Sequence, residues 1–355
     1  MFKKRLTISF IIVTILCTMS ACSLFDQTFD QIDETGEAPS NSTPEQEGNK
    51  SEPNPDPEQD EQAILIPEDS LQKKDKGDQV IKLQTVFNHM GYELTVNGEF
   101  DDATAWAVTD FQLQSDLLLA SGIYDESTKT VLKDAIENNV PITAGSGLPQ
   151  KVEPAFTDSG TEVIANPYDQ LALINKEHAL PADYIPEDLV FPNVRFPFTE
   201  DLPKKQMREA AAKSLEKLFA AADEAGLELF AQSGYRSYER QDAIFTSNSL
   251  EHGEETANTF SARPGESEHQ SGLTMDITSP KVNFDLITDF GDTDEGKWIE
   301  ENSAKYGFII RFPEGKEEIT KYQYEPWHLR FVGEKAAKEI MSQEITLEEY
   351  LETVE

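Results

Sequence analysis

Cysteine is almost missing from this chain: among 355 residues only Cys17 and Cys22 carry a thiol. Cys17 falls in a segment expected to be removed, so the mature protein has no pair for an internal disulfide and no cysteine nucleophile. Packed cores and a metal are then the available sources of stability. Bases are scarce as well, 30 Lys and Arg against 67 Asp and Glu, for a formal charge of −37. Such a surface repels nucleic-acid phosphates and anionic headgroups, which excludes both as partners held by simple charge attraction. It does not hinder recruitment of divalent cations. Long apolar runs are missing too: the N-terminal one, 6–18, is short for a membrane span.

That short run has informative flanks. Lys3, Lys4 and Arg5 precede it and Met19-Ser20-Ala21-Cys22 follows. A charged start, a brief apolar core and small residues before a cut describe a secretory signal, residues 1–21. The Ser-Ala-Cys ending resembles the bacterial lipoprotein lipobox. That resemblance implies lipid attachment at Cys22 and a protein held firmly at the outer face of the cell membrane. Residues 22–75 read as a linker: between Asp26 and Glu61 there are twelve carboxylates and one base, Lys50. So polar a segment cannot bury enough apolar surface to offset its ordering entropy, and a charge-extended tether is expected.

At this length two folded units are expected. In the first, 76–137, Val80, Leu83, Val86, Phe87 and Met90 recur at helical spacing and Gly91 follows. An Asn97-Gly98 turn comes next, then a second helix capped by Asp101 or Asp102 and running through Gln112. A third helix spans 127–136. The succession Thr-x-x-Ala-Val-x-x-Phe-Gln, Gly-x-Tyr-Asp and Thr-x-x-x-Leu resembles the three-helix peptidoglycan-binding domain of wall enzymes; a generic ligand-free bundle is the plain alternative. Residues 138–163, with Pro141, Gly145, Gly147, Pro149 and Pro154 and no period, read as a second linker.

The larger unit, 164–342, is followed by a tail, 343–355. Met207, Ala211, Leu215, Leu218, Phe219 and Ala222 predict an amphipathic helix over 204–225, stopped by Gly226. Strands are expected at 227–231, 273–278, 307–312 and 327–332, with helices at 237–249, 295–306 and 334–341. Helices and short strands mix without a regular βαβ alternation, so the fold class is α+β.

Five histidines are present, and two sit in chemically sensible company. His269 and Asp276 lie seven positions apart around Gly272, so strands flanking the turn can aim both at one point. Glu325-Pro326-Trp327-His328 adds a second imidazole and a carboxylate. Two His and one Asp suit Zn²⁺ with a fourth position left for water, whose pKa zinc lowers to about 7. Glu325 is then best placed as general base and acid. Residues three apart in a regular strand point to opposite faces, so a bend at Pro326 is predicted. Arg236, in Ser233-Gly234-Tyr235-Arg236-Ser237, can stabilise an oxyanion, hold a free carboxylate, or simply pair at the surface. His89, His178 and His252 have no partner at useful spacing, and Trp327 reads as core or pocket wall.

Ser-Gly-Tyr-Arg-Ser, Ser-x-His-x-x-Gly-x-x-x-Asp and Glu-Pro-Trp-His, in this order, resemble the zinc D,D- and L,D-carboxypeptidases of the VanY and LdcB type. Their fold is shared with D-Ala-D-Ala dipeptidases and the hedgehog signalling domain. The resemblance implies His269, Asp276 and His328 as zinc ligands and Glu325 as catalytic base. It implies Arg236, Gln241 and Ser267 as groups that bind substrate. The implied function is a metallocarboxypeptidase that removes a C-terminal D-alanine from peptidoglycan stem peptides, with peptidoglycan as partner and a monomer as the expected state. A dipeptidase, a stem-peptide endopeptidase, or a non-catalytic wall-binding lipoprotein with structural zinc are the alternatives. Wall binding and hydrolysis are expected to be separable, so that deleting 76–137 leaves soluble-peptide turnover nearly intact.

Overall fold

Three helices open the described part of the chain: α1 (Asp78–His89), α2 (Asp102–Leu113) and α3 (Glu126–Glu137). Asp101 accepts from the Thr104 N–H and Asp125 from the Thr128 N–H, each satisfying an orphan donor at a helix start. Of the two candidate caps for α2, Asp101 is therefore the one used. The core between the helices is built by Val80, Leu83, Phe87, Val108, Phe111 and Leu132. Gln112 explains the spacing of the Phe-Gln, Gly-x-Tyr and Thr positions. Its amide donates to Ile123 O and Thr128 Oγ1 and accepts from Ser121 N and Gly122 N.

The protein is described by a computed structural model over residues 65–150 and 153–352. The expected signal segment, Cys22 and nearly all of the tether lie outside the described residues. The described residues fall within one compact unit, Gln62–Glu355. Three boundaries read from the sequence need correction. The helical module starts before residue 76, because Leu71 lies in its core and pairs with Tyr124. The first part of the 138–163 linker is fastened to the helical module: the buried Asp110 carboxylate accepts from the N–H groups of Gly145, Gly147 and Leu148, as well as from Tyr92 OH. A buried carboxylate needs donors, and an aperiodic backbone segment can supply them without showing any hydrophobic period. Farther along, β1 (Ala155–Phe156) and β2 (Glu162–Val163) form a small sheet with β3 (His178–Ala179).

β4 (Leu189–Val190) pairs antiparallel with β5 (Met207–Arg208), and α4 (Glu209–Glu224) follows. The helix predicted from 204 therefore begins at Glu209. Arg208 N–H bonds to Gly272 O and its side chain pairs with Asp188 at 2.9 Å, tertiary contacts that override the alanine-rich local propensity. Next come β6 (Phe230–Ser233), α5 (Tyr238–His252), α6 (Glu254–Phe260), β7 (Thr274–Thr278), α7 (Asp294–Asn302), β8 (Phe308–Phe312), α8 (Glu317–Thr320), β9 (Glu325–Phe331), α9 (Glu334–Gln343) and α10 (Leu347–Glu352). The tail reading for 343–355 is the third correction, since Leu347 and Tyr350 of α10 are buried against Leu171, Ile309 and Ile340.

The main sheet runs β6-β7-β9-β8, antiparallel throughout, giving the expected α+β class. Strand side chains alternate between faces, and here the alternation separates core from chemistry. Met275, Ile277, Trp327, Leu329, Phe331, Phe308 and Ile310 pack with Leu215, Leu218 and Phe219 of α4. Asp276, His328, Arg330 and Arg311 occupy the alternate positions.

The helical module is not independent of this unit. Arg208 Nη2 donates to Ala120 O, Asn166 Nδ2 donates to Thr109 Oγ1 at 2.9 Å, and Lys73 bridges Asp102 and Asp169 at 2.7 Å each. These bonds tie the helical module to the larger unit within one compact body.

Candidate metal and active site

Asp276 and His328 are directly opposite partners in the β7–β9 ladder. His269 sits in the short 3-10 turn Glu268–Ser271, which Gly272 closes at φ +70°. A Cβ on Gly272 would also approach Arg208 Cγ to 2.9 Å, so both backbone angle and space require glycine. His269 Nδ1 lies 2.7 Å from Gly234 O, which puts the proton on Nδ1 and leaves Nε2 facing Asp276 Oδ2 at 3.4 Å. Gly234 itself is in a tight place: an added Cβ would lie 2.4 Å from Gln206 O. On the other side His328 Nδ1 lies 3.2 Å from Asp276 Oδ1.

Nitrogen donors from His269 and His328 and a carboxylate oxygen of Asp276 lie within 4.8 Å of one another, all buried. Asp276 Oδ1 has no aligned hydrogen-bond donor despite its burial. An acceptor left over between two imidazole nitrogens is what a cation-binding site requires, and two nitrogens plus one oxygen match borderline divalent ions. The residues therefore fit the metal that the sequence suggested.

Glu325 joins them through a break in β9. Ile310 pairs with Leu329 but Phe312 pairs with Glu325, so Pro326, Trp327 and His328 stand against Arg311 alone. The bulge turns the strand and brings Glu325 Oε2 to 3.6 Å from His328 Nδ1. The predicted bend is present.

Burial is the main force on these groups. It raises the Glu325 carboxyl to about 7, helped by the charges of Asp276 and Glu268 and opposed by His328 and Arg236. It lowers His269 to about 3, with Arg236 and His328 adding repulsion. For His328 burial acts downward but is outweighed by hydrogen bonding and charge from Asp276 and Glu268, so the ring is pushed up to about 9. The same surroundings therefore push the two imidazoles in opposite directions.

A cavity of about 240 Å³ opens onto this centre, lined by Arg236, Gln241, Ser267, Glu325, Trp327 and His328 among others. Arg236 Nη1 donates to Gln241 Oε1 at 2.8 Å and Gln241 Nε2 donates to Ala262 O at 2.6 Å, so the guanidinium is held in place. Every site residue named from the sequence, Cys22 apart, is gathered here. A larger hollow, about 740 Å³, lies elsewhere between the helical module and the rest, lined by Phe100, Trp106, Asn166, Asp169 and Leu173. It holds none of these groups, so chemistry rather than size identifies the site. His89, His178 and His252 stay outside the cluster, and Trp327 serves as both core and cavity wall.

Sequence reasoning missed four residues beneath the site. Glu268, Arg311, Arg330 and Glu348 are buried ionic groups in contact with one another. Their signal was present: an arginine inside Phe-Ile-Ile-Arg-Phe and another inside Trp-His-Leu-Arg-Phe are unusual for strands buried on both faces.

A bulged antiparallel sheet carrying His328, Asp276 and a base-like Glu325, with His269 on the turn before β7, has the make-up of a peptidase-type centre. Residues 204–334 match the VanY D-alanyl-D-alanine carboxypeptidase family, and 76–132 match a domain described as "Putative peptidoglycan binding domain". The chain is 54% identical over 195 residues to "Putative carboxypeptidase YodJ" of Bacillus subtilis, covering 55% of this chain and 71% of that protein. It is 35% identical over 222 residues to a D-alanyl-D-alanine carboxypeptidase of Enterococcus faecalis, covering 56% of this chain and 76% of that protein. A solved structure of the LdcB LD-carboxypeptidase aligns with a TM-score of 0.56 at 53% identity, covering 57% of this chain and 94% of the other. The chain belongs to the VanY family of carboxypeptidases and shares the LdcB-like fold behind an N-terminal helical domain.

Proposed function

We propose that this chain is a zinc-dependent carboxypeptidase that removes a C-terminal D-alanine from peptidoglycan stem peptides. The observation that carries the reading is the convergence of His269, Asp276 and His328 on one point with the Glu325 carboxylate beside it. His269 Nε2, Asp276 and His328 Nδ1 would hold the ion. When bound, zinc supplies Lewis acidity and water activated at neutral pH. Glu325 takes the proton from the attacking water and passes it to the leaving amine. Arg236, fixed by Gln241, holds the free carboxylate of the peptide, with Ser267 binding its backbone. A structural zinc would need no Glu325, and the bulge that aims it at the centre favours the enzyme over a passive scaffold.

The helical module holds peptidoglycan, and the lipobox-like Ser20-Ala21-Cys22 with the acidic segment behind it fits a lipid-anchored protein working at the outer membrane face. Tethering raises local substrate concentration, so modest intrinsic affinity suffices.

The test is mass spectrometry of defined muropeptides before and after treatment, with and without chelator. Loss of one D-Ala mass by wild type, and none by a zinc-retaining Glu325→Ala, is expected. Equal release by both would refute the assigned base, and loss of a dipeptide mass would move the activity to a dipeptidase.

A further inference from the structure

Four charged side chains unused by the proposed chemistry lie beneath the metal centre. Arg311 and Arg330 are fully buried, and Glu268 and Glu348 are nearly so. Two charges of each sign make the burial tolerable, since a lone buried ion would be strongly destabilising. Arg311 connects the group: its Nε donates to Glu268 Oε1 at 2.7 Å, while Nη1 and Nη2 fork onto Glu348 at 2.9 and 2.7 Å. Arg330 Nη1 donates to the same Glu268 Oε1 at 2.7 Å, and its Nη2 binds the Gln170 and Ala172 carbonyls. Two guanidinium groups thus fix one oxygen of Glu268. Its other oxygen, Oε2, is 3.5 Å from His328 Nε2. That nitrogen is buried and faces Glu268 as its only carboxylate neighbour among the described ion pairs, while Nδ1 of the same ring faces Asp276 and Glu325.

An imidazole that offers one nitrogen to a metal carries its proton on the other, and the group receiving that proton fixes ring orientation and donor strength. We infer that Glu268 is the positioning residue for His328, and that Arg311, itself anchored by Glu348 of α10, holds it there. The C-terminal helix, outside the matched segment 204–334, is therefore part of the metal site. Glu268 Oε2 receives the Nε2 proton, leaving the Nδ1 lone pair aimed at the ion. Glu348 neutralises the far side of Arg311 and keeps that guanidinium from drawing Glu268 off the ring. Asn175 Nδ2 donates to Glu348 Oε1 at 3.2 Å, tying the same relay to the segment before β3.

This inference rests on the metal reading above, and the experiment separates the two. Zinc dissociation constants are measured by chelator competition on the full chain, with thermal melting alongside, for wild type, Glu268→Gln, Glu348→Gln, Glu348→Asp and Leu347→Ala. Outer-shell partners of metal-bound histidines typically change metal affinity by about 10–100-fold. Glu268→Gln should fall in that range, Glu348→Gln should weaken zinc about tenfold, and Glu348→Asp should restore part of the loss. Leu347→Ala loosens α10 without touching the ion chain and should leave zinc affinity near wild type at a comparable loss of melting temperature. Wild-type zinc affinity in both Glu268→Gln and Glu348→Gln would overturn the inference. A loss in Leu347→Ala as large as in Glu348→Gln would overturn the role of Glu348. Wild type that binds no zinc would instead defeat the metal reading.

Discussion

Glu325 Oε2 stands 3.6 Å from His328 Nδ1, although the two residues are three apart in one strand. A regular strand would send them to opposite faces of the sheet. The extra residues of β9 opposite Arg311 remove that conflict, so a local irregularity of pairing brings the carboxylate proposed as general base to the candidate metal site.

The acid limb of the activity profile follows from that placement. Burial lifts the Glu325 carboxyl to about 7 in the metal-free protein, and a nearby dication favours its ionised form. As a base it must be deprotonated, so activity is lost as pH falls through its pKa. In the zinc enzyme this limb in kcat/KM should lie below pH 7. A midpoint above 7 would remove Glu325 from the role.

Zinc affinity should itself depend on pH. His328, pushed up to about 9, is protonated at neutral pH and must lose that proton to the ion, whereas His269, held near 3, is already neutral. One displaced proton makes apparent affinity rise about tenfold per pH unit until the pH passes the His328 value. Competition titrations between pH 6.5 and 9 measure the slope, and a flat profile would contradict the assignment.

Arg236→Lys separates two roles for the guanidinium. Lysine keeps the charge but loses the planar fork and the bond to Gln241. A roughly tenfold or greater rise in KM with a smaller change in kcat is expected if Arg236 grips the substrate carboxylate. A fall in kcat at constant KM would assign it to the transition state.

Deleting residues 65–150 should do more than weaken wall binding. Arg208 would lose Ala120 O, and the buried Asp169 would lose Lys73. Arg208 keeps Asp188, so the main loss is the partner of Asp169, and breaking a buried pair in this way costs at most about 3–5 kcal/mol. The truncated peptidase should melt several degrees lower, by differential scanning calorimetry. An unchanged melting temperature would restore the view of two independent modules.

Much of this molecule was legible early because its signals are local. Helix caps and periods located α1, α2 and α3, and the residue types at His269, Asp276 and His328, with Glu325 as the expected base, named side chains that the fold brings together. The start of α4 was misread because Met207 and Arg208 continue a helical pattern while their backbone pairs with β4. The segment after α3 looked like a linker because Asp110 orders it through backbone N–H groups, which have no sequence signature.

By itself the sequence determined which residue types were available for chemistry and roughly where the helices and strands that carry them run. Periodicity and metal-ligand chemistry are carried by side-chain identity, so they survive without coordinates. Only the tertiary structure decided that α10 belongs to the catalytic unit, that the helical module shares bonds with it, and that Glu268 lies behind His328. Those relationships join positions far apart along the chain, through buried charges whose desolvation is tolerable only after the partners have met.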